Sequence, residues 1–135
     1  MEKTIDELLQ SPCWIIDILP KQVPKDGPGQ YFAIEKYYFQ EDRLAEIREK
    51  HIRLVLKLNC YIDISLDEEP DINPPPERIA DDMRNRPLYI MAGDAMILSD
   101  PDETYLTVYH PDPDMLELIG KIAQSEGLFV WQPPV

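Results

Sequence analysis

At 135 residues, 44% of them hydrophobic, the chain has the size and composition of one globular domain with a single core. A formal net charge of −13 repels nucleic acid and anionic membranes, and no apolar run approaches the roughly 18 residues of a membrane span. The first residues, MEKTIDELLQ, are polar and acidic where a secretory leader would be basic and then apolar, so a cytoplasmic location is expected.

The first element is a short helix opened by TIDE (4–7), in which Thr4 and Glu7 have the spacing of a capping box, and closed near Gln10 by Ser11-Pro12. CWIIDIL (13–19) is β-branched and apolar on both sides, the pattern of a central strand, with one charge inside it, Asp17. A loop rich in Pro and Gly follows. Its Gly27-Pro28-Gly29 lacks the spacing of any phosphate-binding loop and reads as an ordinary connection. The aromatic density of QYFAIEKYYF (30–39) favours a strand.

In DRLAEIREKHIRLVLKL (42–58), Leu44, Ile47, His51, Leu54, Val55 and Leu58 recur at helical spacing, while Glu46 with Lys50 and Glu49 with Arg53 are placed for i,i+4 pairs. YIDISL (61–66) alternates, turning Ile62, Ile64 and Leu66 one way and Tyr61, Asp63 and Ser65 the other. The acidic, Pro-rich stretch 67–77 leads into a weak helical turn, ERIADDMRN.

Gly93-Asp94 between two apolar runs signals a type II′ hairpin, and SDPDE (99–103) a second turn, which together give three consecutive antiparallel strands. Asp112 and Pro113 read as N-cap and first position of a helix that ends at Gly127, and LFVWQ (128–132) closes the chain as a strand. The order predicts an α+β domain over residues 1–135, a mainly antiparallel sheet with two long helices packed on one face.

The charge is unevenly spread. Residues 1–60 hold ten acids and nine bases, whereas residues 61–135 hold sixteen acids and four bases. The second half therefore attracts cationic partners wherever its acids gather.

If the helices cover one sheet face, the other is open, and alternation assigns to it Tyr61, Asp63 and Ser65 from one strand and Tyr105, Thr107 and Tyr109 from another. Tyrosine offers large area and few torsions to freeze, which makes this face the candidate binding surface. Asp17 is expected to face solvent or to pair with a base, because burying a lone charge in an apolar strand costs several kcal/mol; a raised pKa would instead make it a candidate acid. His51, in the middle of the apolar stripe, is expected to be a hydrogen-bonded core residue, and His110 a more exposed group where a strand meets a helix.

Cys13 and Cys60 lie far apart beside aromatics and read as buried free thiols. The clusters around Asp67, Asp100 and Asp112 lack EF-hand spacing and are assigned to turns and caps, so no metal and no cofactor is expected. No serine stands in a GxSxG turn from which a triad could be assembled with either histidine.

The reading is a non-catalytic acidic binding or regulatory domain. Its partner is a basic protein, or a second copy joined through the open face; physically it resembles inhibitor or immunity proteins that bind basic enzymes, without a shared motif. The alternative is a small enzyme using a carboxylate or histidine base in a pocket near Asp17, His51 or His110.

Overall fold

Side-chain hydrogen bonds open the first and last helices. Thr4 and Glu7 complete the capping box at the start of α1 (Ile5–Leu9), with the Thr4 hydroxyl accepting from the Glu7 N–H at 3.2 Å. The Asp112 carboxylate accepts the Met115 N–H at 2.8 Å to open α5 (Pro113–Ser125), and Gly127, at φ 74°, turns the chain out of it. These ends fall where the sequence placed them. The computed structural model describes residues 3–20 and 29–133, so most of the loop between the first strand and Gly29 lies outside the described residues.

Among the described residues the sheet has six strands, β1 (Cys13–Asp17), β2 (Ile64–Leu66), β3 (Leu88–Ala92), β4 (Ala95–Ser99), β5 (Tyr105–Tyr109) and β6 (Phe129–Trp131). They lie in the order β2-β3-β4-β5-β1-β6, every neighbouring pair antiparallel. The β3–β4 turn is the expected two-residue one: Gly93 has φ 59° and Asp94 does not share the positive φ, which is the type II′ pattern. At the β4–β5 turn the Asp100 carboxylate accepts the Asp102 N–H at 2.9 Å, an Asx turn.

One face of the sheet is the core. Ile16, Ile64, Ile90, Ile97 and Val108 from five strands join Leu54, Val55 and Leu58 of α3 (Glu41–Asn59), Ile79 and Met83 of α4 (Pro76–Asn85), and Ile119 and Ile122 of α5 in one buried cluster. The two long helices α3 and α5 thus cover one face of an antiparallel sheet, the predicted α+β architecture. The weak turn expected at 77–85 is a full third helix beside them: Pro76 starts it, and Ile79, Ala80 and Met83 give it an apolar face to bury. On the opposite face α1 packs against β4, where Leu8 and Met96 are both buried.

Several local expectations give way to tertiary contacts. Residues 30–39 are not a strand: α2 (Gln30–Tyr38) is helical, and β1, the strand before it, already pairs with β5 on one side and β6 on the other. The strand expected over 61–66 is only Ile64–Leu66, because α3 runs on to Asn59 and residues 60–62 turn back to bond the Lys57 and Leu58 carbonyls.

Cys60 consequently sits exposed at the C-cap of α3, not buried at a strand start, while Cys13 is half-buried; both are free. The i,i+4 pairs on α3 yield to distant partners, Glu49 accepting from Arg84 at 2.7 and 2.8 Å and Glu126 from Arg53 at 2.7 Å. Such bidentate or shared pairing between elements is worth more than one exposed helical pair.

Candidate binding face

Because side chains alternate, strand register sorts them between the two sheet faces. Tyr105, Thr107 and Tyr109 point away from the core, beside Asp17, Ile15 and Cys13 of β1 and, on the far side of β1, Phe129 and Trp131 of β6. The expected grouping of Tyr105, Thr107 and Tyr109 on one face holds, and Asp17 joins them. Tyr105 is 38% exposed and Phe129 47%, whereas Thr107 is buried between its larger neighbours. Trp131 is anchored there by donating from Nε1 to the Leu19 carbonyl at 3.1 Å.

Tyr61 and Asp63 do not share this face. They precede β2 in the turn after α3, at the far end of the sheet from β1; Ser65 alone of that trio is in register, in the row Ser65–Met91–Met96–Tyr109. Three strand spacings of about 4.8 Å put Ser65 roughly 14 Å from Tyr109. Asp63 accepts from Asn73 Nδ2 at 2.9 Å, and Tyr61 is 72% exposed.

Tyr61, Asp63 and His110 instead flank the Gly93-Asp94 hairpin tip. There a groove of about 710 Å³ containing Asp63, Glu68 and Asp94 adjoins a smaller one of about 400 Å³ containing Tyr61, Asp94 and Asp114, and His110 borders both. His110 adopts a left-handed φ of 59°, and its N–H donates to the Pro12 carbonyl at 3.0 Å.

Asp17 departs furthest from expectation. It neither faces solvent nor meets a base among the described residues: it is 8% exposed and accepts the Ile18 N–H at 2.7 Å. Burial, reinforced by the negative charge of Glu35 on α2, pushes its pKa up to about 6 although the Ile18 and Leu19 amides oppose the shift. Glu103, just before β5, is also raised, by burial first and then by Asp100, Asp102 and Glu35. An electronegative rim from three elements thus borders the aromatic face. Burial, together with Glu103, Asp100 and Asp17, raises the Tyr105 phenol as well.

His51 is buried on the core side of α3, as expected. It lies against the Thr104 backbone while its Nε2 has no partner, and burial depresses its pKa to about 4, so the imidazole is neutral at physiological pH. One turn earlier, Arg48 holds the same β4–β5 turn by donating Nε and Nη2 to the Pro101 carbonyl at 3.0 and 2.9 Å.

The three groups that an acid–base mechanism would draw on are therefore dispersed. Asp17 lies opposite Tyr105 at one end of β5, His110 follows Tyr109 at the other, and His51 is within the helical layer. Five residues of strand separate the first two, roughly 17 Å.

Two acids of the connection after β2 have structural partners. Asp67 accepts the Tyr89 N–H at 3.0 Å and pairs with Arg86 at 2.9 Å, and Glu69 pairs with Arg78. Among the described residues no three His, Cys, Asp or Glu side chains are arranged to hold a metal ion, and no helix is long and apolar enough to cross a membrane.

Phe129, Trp131, Glu35 and Glu103 belong to the face but were not singled out from sequence. Alternation in LFVWQ puts Phe129 and Trp131 on one side; which side is decided by β6 pairing with β1, a contact more than a hundred residues apart in the chain. No known protein family, curated protein or solved structure matches the chain.

Proposed function

We propose that the protein is a non-catalytic binding or regulatory domain that engages a basic protein partner through the β5-β1-β6 half of its outer sheet face. The single observation behind this reading is the concentration of exposed aromatic rings, Tyr105 and Phe129, beside the carboxyls of Asp17, Glu35 and Glu103. Aromatic anchors supply area at low entropic cost, and the acidic rim supplies steering toward a cationic surface. The free thiols and the charge of −13 accord with a cytoplasmic domain that avoids nucleic acid.

The enzymatic alternative needs one of Asp17, His51 or His110 to meet other polar residues in a concave pocket; Asp17 and His51 are buried, and it rests on His110, which borders the hairpin-tip grooves with Asp63, Asp94 and Asp114. A second copy on the same face is disfavoured, since it would bring two acidic rims together.

The test is a quantitative pull-down with wild type and the double variant Tyr105→Ala/Tyr109→Ala. A cationic partner retained by wild type, released as salt is raised and lost from a folded double variant is the expected result. Identical retention by both proteins would refute the assignment of the face.

A further inference from the structure

The described sheet ends in two edge strands, β2 and β6, and the chain treats them differently. Antiparallel strands direct the backbone groups of alternate residues to opposite neighbours. One position past Leu66↔Ile90, the Asp67 N–H donates to the Tyr89 carbonyl at 2.7 Å, so Ser65 bonds to β3 while Ile64 and Leu66 present their groups to the outer edge. Asn73 occupies that edge. Its N–H donates to the Ile64 carbonyl at 2.7 Å, its Oδ1 accepts the Ile64 N–H at 2.9 Å, and the Glu69 N–H donates to the Leu66 carbonyl at 3.1 Å. Non-strand residues thus stand where the next strand would be.

The same alternation leaves the other edge open. The His110 N–H donates to the Pro12 carbonyl one position past Cys13↔Tyr109, so Trp14 and Ile16 bond to β5, and Ile15 and Asp17 bond to Trp131 and Phe129. Val130, between those two, therefore turns its N–H and carbonyl outward, where neither has a hydrogen-bond partner among the described residues. Its side chain packs against the core and fixes the strand in place.

Charge selects the occupant. A strand added to β6 continues the row Tyr105–Asp17–Phe129, so its residue opposite Phe129 lies on the outer face. That residue stands one strand spacing, about 4.8 Å, from Phe129, inside the roughly 6 Å over which an aromatic ring attracts a cation. Two spacings, about 10 Å, separate it from Asp17, which is roughly the Debye length at ordinary salt. Glu35 and Glu103 add to the same field. A second copy of this acidic chain would meet repulsion there instead.

We propose that β6 is a docking edge on which the basic partner pairs an extended segment, with lysine or arginine alternating with neutral residues so that every second side chain lies on the aromatic, acidic face. This rests on the reading of that face as the site for a basic protein and specifies how the partner is held.

The probes are a synthetic octapeptide of alternating lysine and threonine and its counterpart with glutamate for lysine, titrated against the full chain and followed by amide hydrogen exchange. In the free protein the Phe129 and Trp131 amides should exchange slowly and the Val130 amide fast. The lysine peptide should slow Val130 by about tenfold or more, and salt should weaken its binding. Val130→Pro removes the outward N–H and none of the bonds to β1, and should weaken the peptide about tenfold. Because Val130 also touches the core, Gln132→Pro, at the next outward position and exposed, repeats the test away from it and should weaken binding about threefold.

A Val130 amide already protected in the free chain, no protection by the lysine peptide, or undiminished binding to both proline variants overturns the proposal. Protection that grows with protein concentration alone assigns the edge to a second copy and likewise overturns it. Equal binding of the lysine and glutamate peptides overturns the basic occupant and the proposed partner class together. A lysine peptide whose binding depends on Tyr105 but leaves Val130 unprotected overturns the edge alone.

Discussion

Replacing Asp17 by asparagine should make the protein more stable at pH 8, an unusual outcome for a change at a buried polar position. The carboxyl is 8% exposed and its pKa rises from 3.8 to about 6 in the fold. Since the folded value lies above the unfolded one, the fold holds this proton more tightly. The ionised group therefore imposes no cost below about pH 4, a growing cost between 4 and 6, and its full cost above 6.

Two pKa units correspond to roughly 3 kcal/mol, and partial access to solvent reduces this to about 1–2 kcal/mol. Asparagine retains an oxygen to accept the Ile18 N–H, now at 2.7 Å, and removes only the charge. Urea denaturation at pH 8, 6 and 4.5 should show the variant ahead by about 1–2 kcal/mol at pH 8, with the two proteins converging at the lowest pH. Titration of His51 is common to both and cancels in the difference. A less stable variant at pH 8, or a difference constant with pH, would refute the account of Asp17 as a buried carboxylate with no compensating cation among the described residues.

Other perturbations test neighbouring parts of the argument. His51, depressed to about 4 by burial, contributes stability that is complete above its unfolded value near 6.5 and is lost as pH falls toward 4; His51→Leu should flatten that acid limb by up to about 3 kcal/mol, read from pH-dependent melting. Gly93→Ala should cost about 1–2 kcal/mol, measured by urea midpoint, through its φ of 59° alone, since a Cβ there meets nothing closer than Ile62 Cγ2 at 3.9 Å. Glu126 gathers Arg53 at 2.7 Å and Lys57 at 2.6 Å between α3 and the end of α5, so a double-mutant cycle of Arg53→Ala and Glu126→Gln should return a coupling of about 1 kcal/mol that shrinks in salt.

A carboxylate that weakens the fold at neutral pH, on the same face as exposed Tyr105 and Phe129, is the pattern in which stability is traded for function. A cation brought by a partner would lower the Asp17 pKa and recover part of that cost. Partner binding should accordingly be weaker for Asp17→Asn, even though that variant folds more stably. The same substitution thus separates a functional carboxylate from an incidental one.

Much of the fold was legible from local chemistry. The Thr4–Glu7 box, the Asp112 cap with Pro113 behind it, the Gly93-Asp94 turn and the apolar stripe of 42–58 each depend on residues within a few positions of one another, and each appears as read. Tertiary structure decided the rest. Aromatic residues serve strand and helix alike, so whether 30–39 joined the sheet depended on which strands had already claimed β1.

The candidate face required still more distant information. Alternation paired Tyr105 with Tyr109, but it could not show that Tyr61 and Asp63 end in a turn across the sheet, or that Phe129 flanks Asp17. Nor could it show that Asp17 is buried within reach of the charge of Glu35. Sequence determines which side of its own strand a residue takes because that geometry is local. The neighbours it meets there depend on strand order, which is set by burying the whole core at once.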